Sequence, residues 1–233
     1  MKLMKSDIEL KMRILEKFGI MSEPKSIEFC KEAYKFVYGD TTGTTGEGPA
    51  DIVADPVAVD LGLPSGTKWA DRNIGALNPE DTGLYFSWGN TVCHEAGKDY
   101  DFEDDYDNTP GSELKADIDL EHDAARVNLG EPWKMPTKEQ FKELVDNCES
   151  EVATLKGYLG RCFTSKINGN SIFMPFAGYI SGTSLNYRGS NGLYWSSSLR
   201  SQTYGYSLNF DCSNVLPASN DYRFLGFSVR AVQ

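Results

Sequence analysis

The fold is decided by the last fifty residues of the chain, residues 184–233, which read SLNYRGSNGLYWSSSLRSQTYGYSLNFDCSNVLPASNDYRFLGFSVRAVQ. Of the 42 residues from 184 to 225, 22 are Ser, Asn, Tyr or Gly, and neither Lys nor Glu occurs after Lys166. Binding surfaces share this composition, because tyrosine gives a large rigid contact area while Ser, Asn and Gly give adaptable hydrogen bonds. Loop-rich all-β domains share it as well, so composition alone leaves both interpretations open.

The same stretch also contains a set of residues that we interpret as a rigid frame. It consists of Gly192, residues 194–198 (YWSSS), Leu208, Phe210 and residues 226–230 (GFSVR). Between residues 204 and 211, period-two alternation places Tyr206, Leu208 and Phe210 on one face of a strand. The opposite face then carries Gly205, Ser207, Asn209 and Asp211. We expect the first face to be core and the second to meet solvent or ligand.

Three motifs precede the tail in a fixed order. They are VDLGLPSGTKWADRNIGA (59–76), GLYFSWGN (83–90) and EPWKMPTKEQFKELVDNC (131–148). Together with YWSSS and GFSVR they resemble the C-type-lectin-like domain, in the version found in Bacteroidetes surface proteins and in the variable proteins of diversity-generating retroelements. The resemblance covers about residues 56–233 and implies an α+β fold of short, twisted antiparallel strands and helices.

The resemblance also implies which positions bind. In retroelement-diversified members, scattered positions of the tail vary while the frame stays fixed, which here corresponds to a variable region of about residues 184–225. Carried over by register, the ligand-binding positions are Leu193, Arg200, Thr203, Tyr204, Ser207, Asn209, Asp211, Ser213, Leu216, Asn220, Asp221, Tyr222, Phe224 and Leu225. Apolar members of this set would be exposed and would anchor an interface. Arg223 and Arg230 are expected in the frame, paired with carboxylates or backbone carbonyls.

The function that the resemblance implies is ligand or receptor binding through a diversified surface. Such a chain would be a phage tail receptor-binding protein or a variable adhesin, and its partner would be a protein or glycan on a target cell surface. One alternative is a carbohydrate-binding module of fixed specificity. Another is a structural virion protein whose C-terminal face is a subunit interface.

Charge narrows the possible partners. The net charge of −11 argues against nucleic acid and anionic membranes, because both require a basic surface. No apolar run is long enough to cross a bilayer, and the charged N-terminus lacks the apolar core of a secretory signal. We therefore expect a protein located in a virion, or at a cell surface after non-classical export.

The N-terminal part is predicted to be separate from the tail domain. Ser6 and Glu9 form a capping-box pair at the start of one short amphipathic helix, and a second follows, so residues 1–38 are interpreted as a helical hairpin. Residues 39–56 are rich in Gly, Thr and Asp and predict a linker, which leaves residues 57–233 as the ligand-binding domain. The hairpin either packs on this domain or docks onto virion subunits.

No motif indicates catalysis. His94 and His122 lack metal-ligand spacing, and no nucleophile elbow or phosphate-binding loop is present. The related formylglycine-generating enzymes use cysteines in the C-terminal part, whereas Cys212 has no second cysteine nearby. The five scattered cysteines include no CxxC pair, so free buried thiols are expected rather than a disulfide framework, although the count permits one pair. We expect a protein that is not an enzyme.

No cofactor is expected, although one acidic segment could hold calcium. Its side chains are Asp101, Glu103, Asp104, Asp105 and Asp107. They lack the glycine and terminal glutamate of an EF-hand loop, and a solvated acidic loop is the commoner outcome.

Three local structures are predicted from pattern alone. Thr137 and Gln140 form a capping box before an apolar helical face of Phe141, Leu144, Val145 and Cys148. Strands at residues 161–165 and 171–175 are joined by Asn168-Gly169, a hairpin signal. The aromatic run at residues 85–89 is predicted to be core, and Val57, Val59 and Leu61 to form the buried side of a strand.

Overall fold

The computed structural model describes residues 55–94 and 117–233. The predicted hairpin (1–38), residues 39–54 of the predicted linker and the candidate calcium segment (101–107) lie outside these residues. By their contacts, the described residues belong to one compact unit.

The described residues form an α+β domain of short strands and two helices. The strands of the first part are β1 (Ala58–Asp60), β2 (Lys68–Ala70) and β3 (Tyr85–Phe86). The helices are α1 (Ala124–Leu129) and α2 (Lys138–Asn147). The remaining strands are β4 (Cys148–Leu155), β5 (Tyr158–Ser165), β6 (Ser171–Pro175), β7 (Tyr179–Ser181), β8 (Ser184–Asn186), β9 (Gly192–Leu199), β10 (Tyr204–Phe210), β11 (Val215–Tyr222) and β12 (Phe227–Ser228).

The strands are arranged in small sheets. A five-stranded sheet has the order β11-β10-β9-β12-β3, and a three-stranded sheet has the order β4-β5-β6. Two further pairs are β1-β2 and β7-β8. The pairing is antiparallel except between β12 and β9. β11 forms one edge of the larger sheet and carries Pro217 beside a shift in its pairing with β10.

Helix α2 confirms the predicted capping box. Thr137 accepts a hydrogen bond from the Gln140 backbone N–H (3.2 Å), and the Gln140 side chain accepts one from the Thr137 N–H (2.9 Å). Phe141 and Leu144 are buried on the inner face. Cys148 caps the helix and starts β4 without an intervening loop. That strand was not predicted from the sequence.

The β-hairpin predicted around Asn168-Gly169 is also confirmed. β5 and β6 pair antiparallel, and Gly169 in the turn between them has a φ of 77°. β5 begins three residues earlier than predicted because β4 pairs with it along its whole length, from Cys148 opposite Ser165 to Leu155 opposite Tyr158.

Phe210 lies at the centre of the aromatic core. Its ring centroid lies 5.7 Å from that of Tyr194, 5.8 Å from that of Phe176 and 5.9 Å from that of Phe163. A Cβ on Gly192 would approach the Phe210 ring to 2.2 Å, so this position in β9 requires glycine. One side chain thus joins the two larger sheets.

The predicted aromatic core is confirmed, whereas one prediction for β1 is wrong. Tyr85, Phe86 and Trp88 are all buried, as the sequence indicates. Val57, predicted on the buried side of the first strand, is 62% exposed because the strand starts only at Ala58.

The C-terminal residues close the domain through backbone pairing. Val232 bridges both Trp69 and Lys134, and Gln233 exchanges backbone hydrogen bonds with Lys68 (2.9 and 3.0 Å). The end of the chain is therefore held against β2 and against the segment that precedes α2.

The buried Arg230 fixes the same region. Its Nε donates to Asn73 Oδ1 (2.8 Å), its Nη1 to the Ala70 carbonyl (3.1 Å) and its Nη2 to the Phe173 carbonyl (3.0 Å). Arg223 is equally buried, with its guanidinium 5.4 Å from the Trp88 ring centroid. The predicted frame role is confirmed for Arg230, whose partners include backbone carbonyls.

The thiols of Cys148, Cys162 and Cys212 are free, as expected, but only that of Cys148 is buried. Cys148 is buried, Cys93 and Cys162 are partly buried, and Cys212 is exposed. The expectation of burial is wrong for Cys212 because it lies in the turn between β10 and β11. Among the described residues, no helix combines the length and apolar character needed to span a membrane.

His94 predicts a measurable dependence of stability on pH. Burial lowers its pKa from 6.5 to about 4. Between these values the unfolded chain binds a proton that folded His94 does not, so the free energy of unfolding must fall as the pH is lowered from 6.5 to 4. At about 1.4 kcal/mol per pKa unit, the loss is at most roughly 3 kcal/mol.

We expect His94→Gln to flatten this dependence, measured by urea unfolding at pH 7, 5.5 and 4. Buried Asp123 and half-buried Asp221, whose pKa values are raised by burial, titrate in both proteins, so the difference between the curves isolates His94. His122→Gln is the matched control, because it removes the other, more exposed histidine. Parallel curves for wild type and His94→Gln would contradict the prediction.

Candidate binding surface

The three consecutive serines of β9 stabilise the five-stranded sheet. Ser196, Ser197 and Ser198 are all buried. Between the pairs Gly205–Leu199 and Ser207–Trp195, two residue steps on β10 face four steps on β9, so the serines form a bulge.

The bulge serines bond to three other segments. The Ser196 carbonyl accepts from Trp88 Nε1 (2.9 Å), and the Ser197 N–H donates to the Pro136 carbonyl (2.8 Å). The Ser198 hydroxyl donates to Asp117 (2.7 Å) and accepts from the Lys138 N–H (3.2 Å). The serines therefore belong to the frame and fix the first turn of α2 beside the sheet.

Trp195 fixes the loop that follows β11. Its ring stacks on that of Phe227 with centroids 4.2 Å apart. Its indole N–H lies 2.8 Å from the Phe86 carbonyl and 3.2 Å from the Leu225 carbonyl. The chain around Leu225 is thus held to the buried centre of the sheet.

The burial of the apolar face predicted for β10 is confirmed at the C-terminal end of the strand. Leu208 and Phe210 are fully buried, as predicted. Tyr204 and Tyr206 continue the same face, and they pair with Tyr222 and Asn220 of β11. This end of the face lies beyond the core, so its side chains reach the surface.

Three rings form what we call the aromatic row: Tyr204, Tyr222 and Phe224. The ring centroids of Tyr204 and Tyr222 are 4.7 Å apart, and those of Tyr222 and Phe224 are 5.3 Å apart. Tyr222 is 44% exposed, while Tyr204 and Phe224 are half-buried. The hydrogen bond with Tyr222 raises the pKa of Tyr204 above its usual value. The row is a preformed aromatic surface.

Two cations lie over the ring of Tyr206, two residues along β10 from Tyr204. Lys138 Nζ lies 4.4 Å from the Tyr206 ring centroid, and the Arg200 guanidinium carbon lies 5.8 Å from it. The sequence assigned Tyr206 to the core by alternation, but the ring is half-buried beside the first residue of α2. Neither Tyr206 nor Lys138 was a predicted binding residue.

Half of the predicted positions come together at this end of the sheet. Backbone bonds position them: the Arg200 N–H donates to the Tyr204 carbonyl (3.0 Å) and the Arg223 N–H to the Thr203 carbonyl (3.1 Å). We define the candidate surface as Arg200, Thr203, Tyr204, Tyr206, Asn220, Tyr222, Phe224 and Leu225.

Four predicted positions lie towards the opposite end of β10. Asp211 closes the β10–β11 turn by accepting from the N–H groups of Ser213 (2.6 Å) and Asn214 (2.8 Å), which lowers its pKa. Asn209 and Leu216 pair with each other next to this turn. Seven residues of extended strand span about 20 Å, so these positions do not share one patch with the aromatic row.

Two predicted positions are buried, and their predicted exposure is wrong. Leu193 is 5% exposed because β9 is the middle strand of its sheet. Ser207 is 0% exposed, opposite Trp195. Its hydroxyl donates to Asp221 (2.7 Å), so the half-buried Asp221 carboxylate also turns inward rather than towards a ligand.

No group of three or more His, Cys, Asp or Glu side chains in residues 55–94 and 117–233 is arranged to hold a metal ion. Comparison of this chain with protein-family models, curated proteins and solved structures finds no match.

Burial of Ser207 generates a stability prediction. We expect Ser207→Ala to lower the free energy of unfolding by about 1–3 kcal/mol, because it leaves the Asp221 carboxylate without its donor. Urea unfolding at pH 7 measures the loss. Asn209→Ala, two residues along the same strand and half-exposed, is the control and should change stability by less than about 0.5 kcal/mol. Equal stabilities of the two variants would place Ser207 outside the frame.

Proposed function

We propose that this chain is a ligand-binding protein that displays a diversified surface on a C-type-lectin-like scaffold. It acts as a phage tail receptor-binding protein or a variable adhesin, and it recognises a protein or glycan on a target cell. The observation that carries the proposal is the aromatic row, three adjoining rings at one end of the sheet beside Arg200 and Tyr206.

The chemistry of the candidate surface supports recognition. Tyrosine and arginine are enriched among residues that dominate binding energy, and tyrosine loses little conformational entropy on contact. The rings are already packed on each other, so little ordering remains to be done when a partner binds. The adjoining Arg200 and Thr203 are exposed and can form hydrogen bonds at the rim.

The separation of frame from surface supports diversification. The bonds that hold the surface segments use backbone atoms, as between Thr203 and Arg223 or between Tyr222 and Leu225 (3.0 Å). Side chains at these positions can therefore be exchanged without removing the bonds that position the chain. The buried frame, including the serine bulge, is unchanged by such exchanges.

Removing the rings tests the binding role. We expect Tyr222→Ala and Phe224→Ala each to weaken binding of the labelled chain to susceptible cells by about 1–3 kcal/mol, roughly a 5- to 150-fold loss. Titration of the chain on a panel of intact bacterial strains, read by flow cytometry, measures the change.

Leu216→Ala provides the matched control, because Leu216 is 53% exposed on the same strand but lies near the far turn. Its binding should equal that of wild type. Binding that falls equally in all three variants, or in none, would exclude the aromatic row as the contact surface. Circular dichroism establishes that each variant is folded.

DNA sequencing tests the diversification. We expect a near-copy of the tail-coding segment beside the gene, differing from it at template adenines. The differing codons should include those of Tyr204, Asn220 and Tyr222 and spare those of Leu193 and Ser207, because substitutions at these two positions would disturb buried packing. A neighbourhood without such a repeat would reject diversification and leave a binding module of fixed specificity.

A carbohydrate-binding module of fixed specificity is the second candidate, favoured by the partly exposed rings of the aromatic row, since aromatic side chains combine apolar area with polar tips. A glycan array separates the two functions. Binding confined to one sugar class and abolished by calcium chelation would support the carbohydrate module.

A further inference from the structure

A separate cleft of about 200 Å³ lies away from the aromatic row. It is bordered by the turn between β4 and β5, by the end of β6, and by the turn that follows β8. Its lining includes Tyr158, Leu159, Phe176, Arg188 and Thr82. None of these residues belongs to the candidate surface.

The walls of the cleft are held by backbone hydrogen bonds. The Phe176 N–H donates to the Leu159 carbonyl (2.9 Å), and the Gly189 N–H donates to the Phe176 carbonyl (2.8 Å). Phe176 is buried in the core, whereas Tyr158 and Leu159 are each 45% exposed. The cleft is therefore a preformed depression with an apolar floor and an apolar rim.

Arg188 supplies positive charge to this cleft. Its side chain is exposed, and no carboxylate of the described residues forms an ion pair with it. Its charge reaches the hydroxyl of Tyr85, where it partly offsets the burial that raises the pKa of that group. The net charge of the chain is nevertheless −11.

The neighbouring cation is already paired. Lys156, one residue before the cleft-lining Gly157, places its Nζ 2.9 Å from Glu80 Oε1. Glu80 is buried, so this pair compensates the charge of Lys156 within the domain. Arg188 is thus the cation of the cleft that can accept an external anion.

We propose that the cleft binds a small carboxylate carried on a single ring. The planar guanidinium of Arg188 matches a carboxylate in a bidentate manner, and Tyr158, Leu159 and Phe176 provide apolar area for the ring. Ligand pockets usually measure about 300–1,000 Å³, so a cleft of this size takes one ring rather than a chain of rings. The ring belongs to a sugar acid or to an aromatic acid.

Binding of two acids and their neutral counterparts tests the proposal. The probes are glucuronate with glucose, and benzoate with benzyl alcohol, titrated into the full chain by saturation-transfer NMR and calorimetry. We expect at least one acid to bind, at least tenfold more tightly than its neutral counterpart. Glucuronate alone would identify the sugar acid as the source, and benzoate alone the aromatic acid.

Substitutions locate the site. Arg188→Gln should weaken acid binding at least tenfold. Arg188→Lys should weaken it less, because lysine keeps the positive charge but cannot form the bidentate pair. Leu159→Trp should block the cleft with a larger side chain at its rim. Lys134→Gln is the matched control, since it removes the same charge from an exposed residue on another segment and should leave acid binding unchanged.

Two results would overturn the proposal: neither acid binds at millimolar concentration, or Arg188→Gln binds the acids as wild type does. Two-dimensional NMR spectra show that each variant retains the fold. Attachment to target cells is governed by the candidate surface and should not change in Arg188→Gln. Failure here is therefore distinguishable from failure of the proposed receptor binding.

Discussion

The domain depends on one buried guanidinium. Arg230 donates to Ala70, Asn73 and Phe173, so a single side chain near the C-terminus joins β2, the loop after it and β6. Burial lowers its pKa to about 10, which still leaves the group charged at neutral pH, and oxygen atoms accept hydrogen bonds from all three of its nitrogens. A buried charge is stable only when it is hydrogen-bonded in this way. These bonds fix the path of the last segment, and that path places β12 beside β9.

The candidate surface follows from that constraint. With β12 in place, β9 is covered by strands on both sides, and its serine bulge bonds to α2 and to the Trp88 loop. All of these hydrogen-bonding groups lie inside the domain. The start of β10 and the end of β11 are therefore left to carry aromatic rings and polar side chains at the surface. The aromatic row thus lies where the core face of the sheet continues past the start of α2. Side chains there can be exchanged with little effect on the fold.

The sequence predicts local structure well, but it predicts the shared surface only in part. The capping box of α2, the Asn168-Gly169 hairpin and the aromatic core were predictable because each depends on neighbouring residues. β4 was missed because Glu149 and Glu151 are untypical of a strand, although one face of this edge strand is open to water. The burial of Leu193 and Ser207 follows from strand order and from the bulge in β9, which alternation along one strand does not reveal. Alternation along one strand also does not reveal that Asp211 and Tyr222 lie at opposite ends of the β10–β11 hairpin.

The edge strand β11 affects how readily the domain would aggregate at high concentration. Among the described strands, β11 pairs on one side only, but Pro217 removes one of its N–H donors and the adjacent shift in pairing bends it. An edge of this kind is a poor template for a strand from a neighbouring molecule. Copies of this domain at high local density would therefore not assemble into fibrils through this edge.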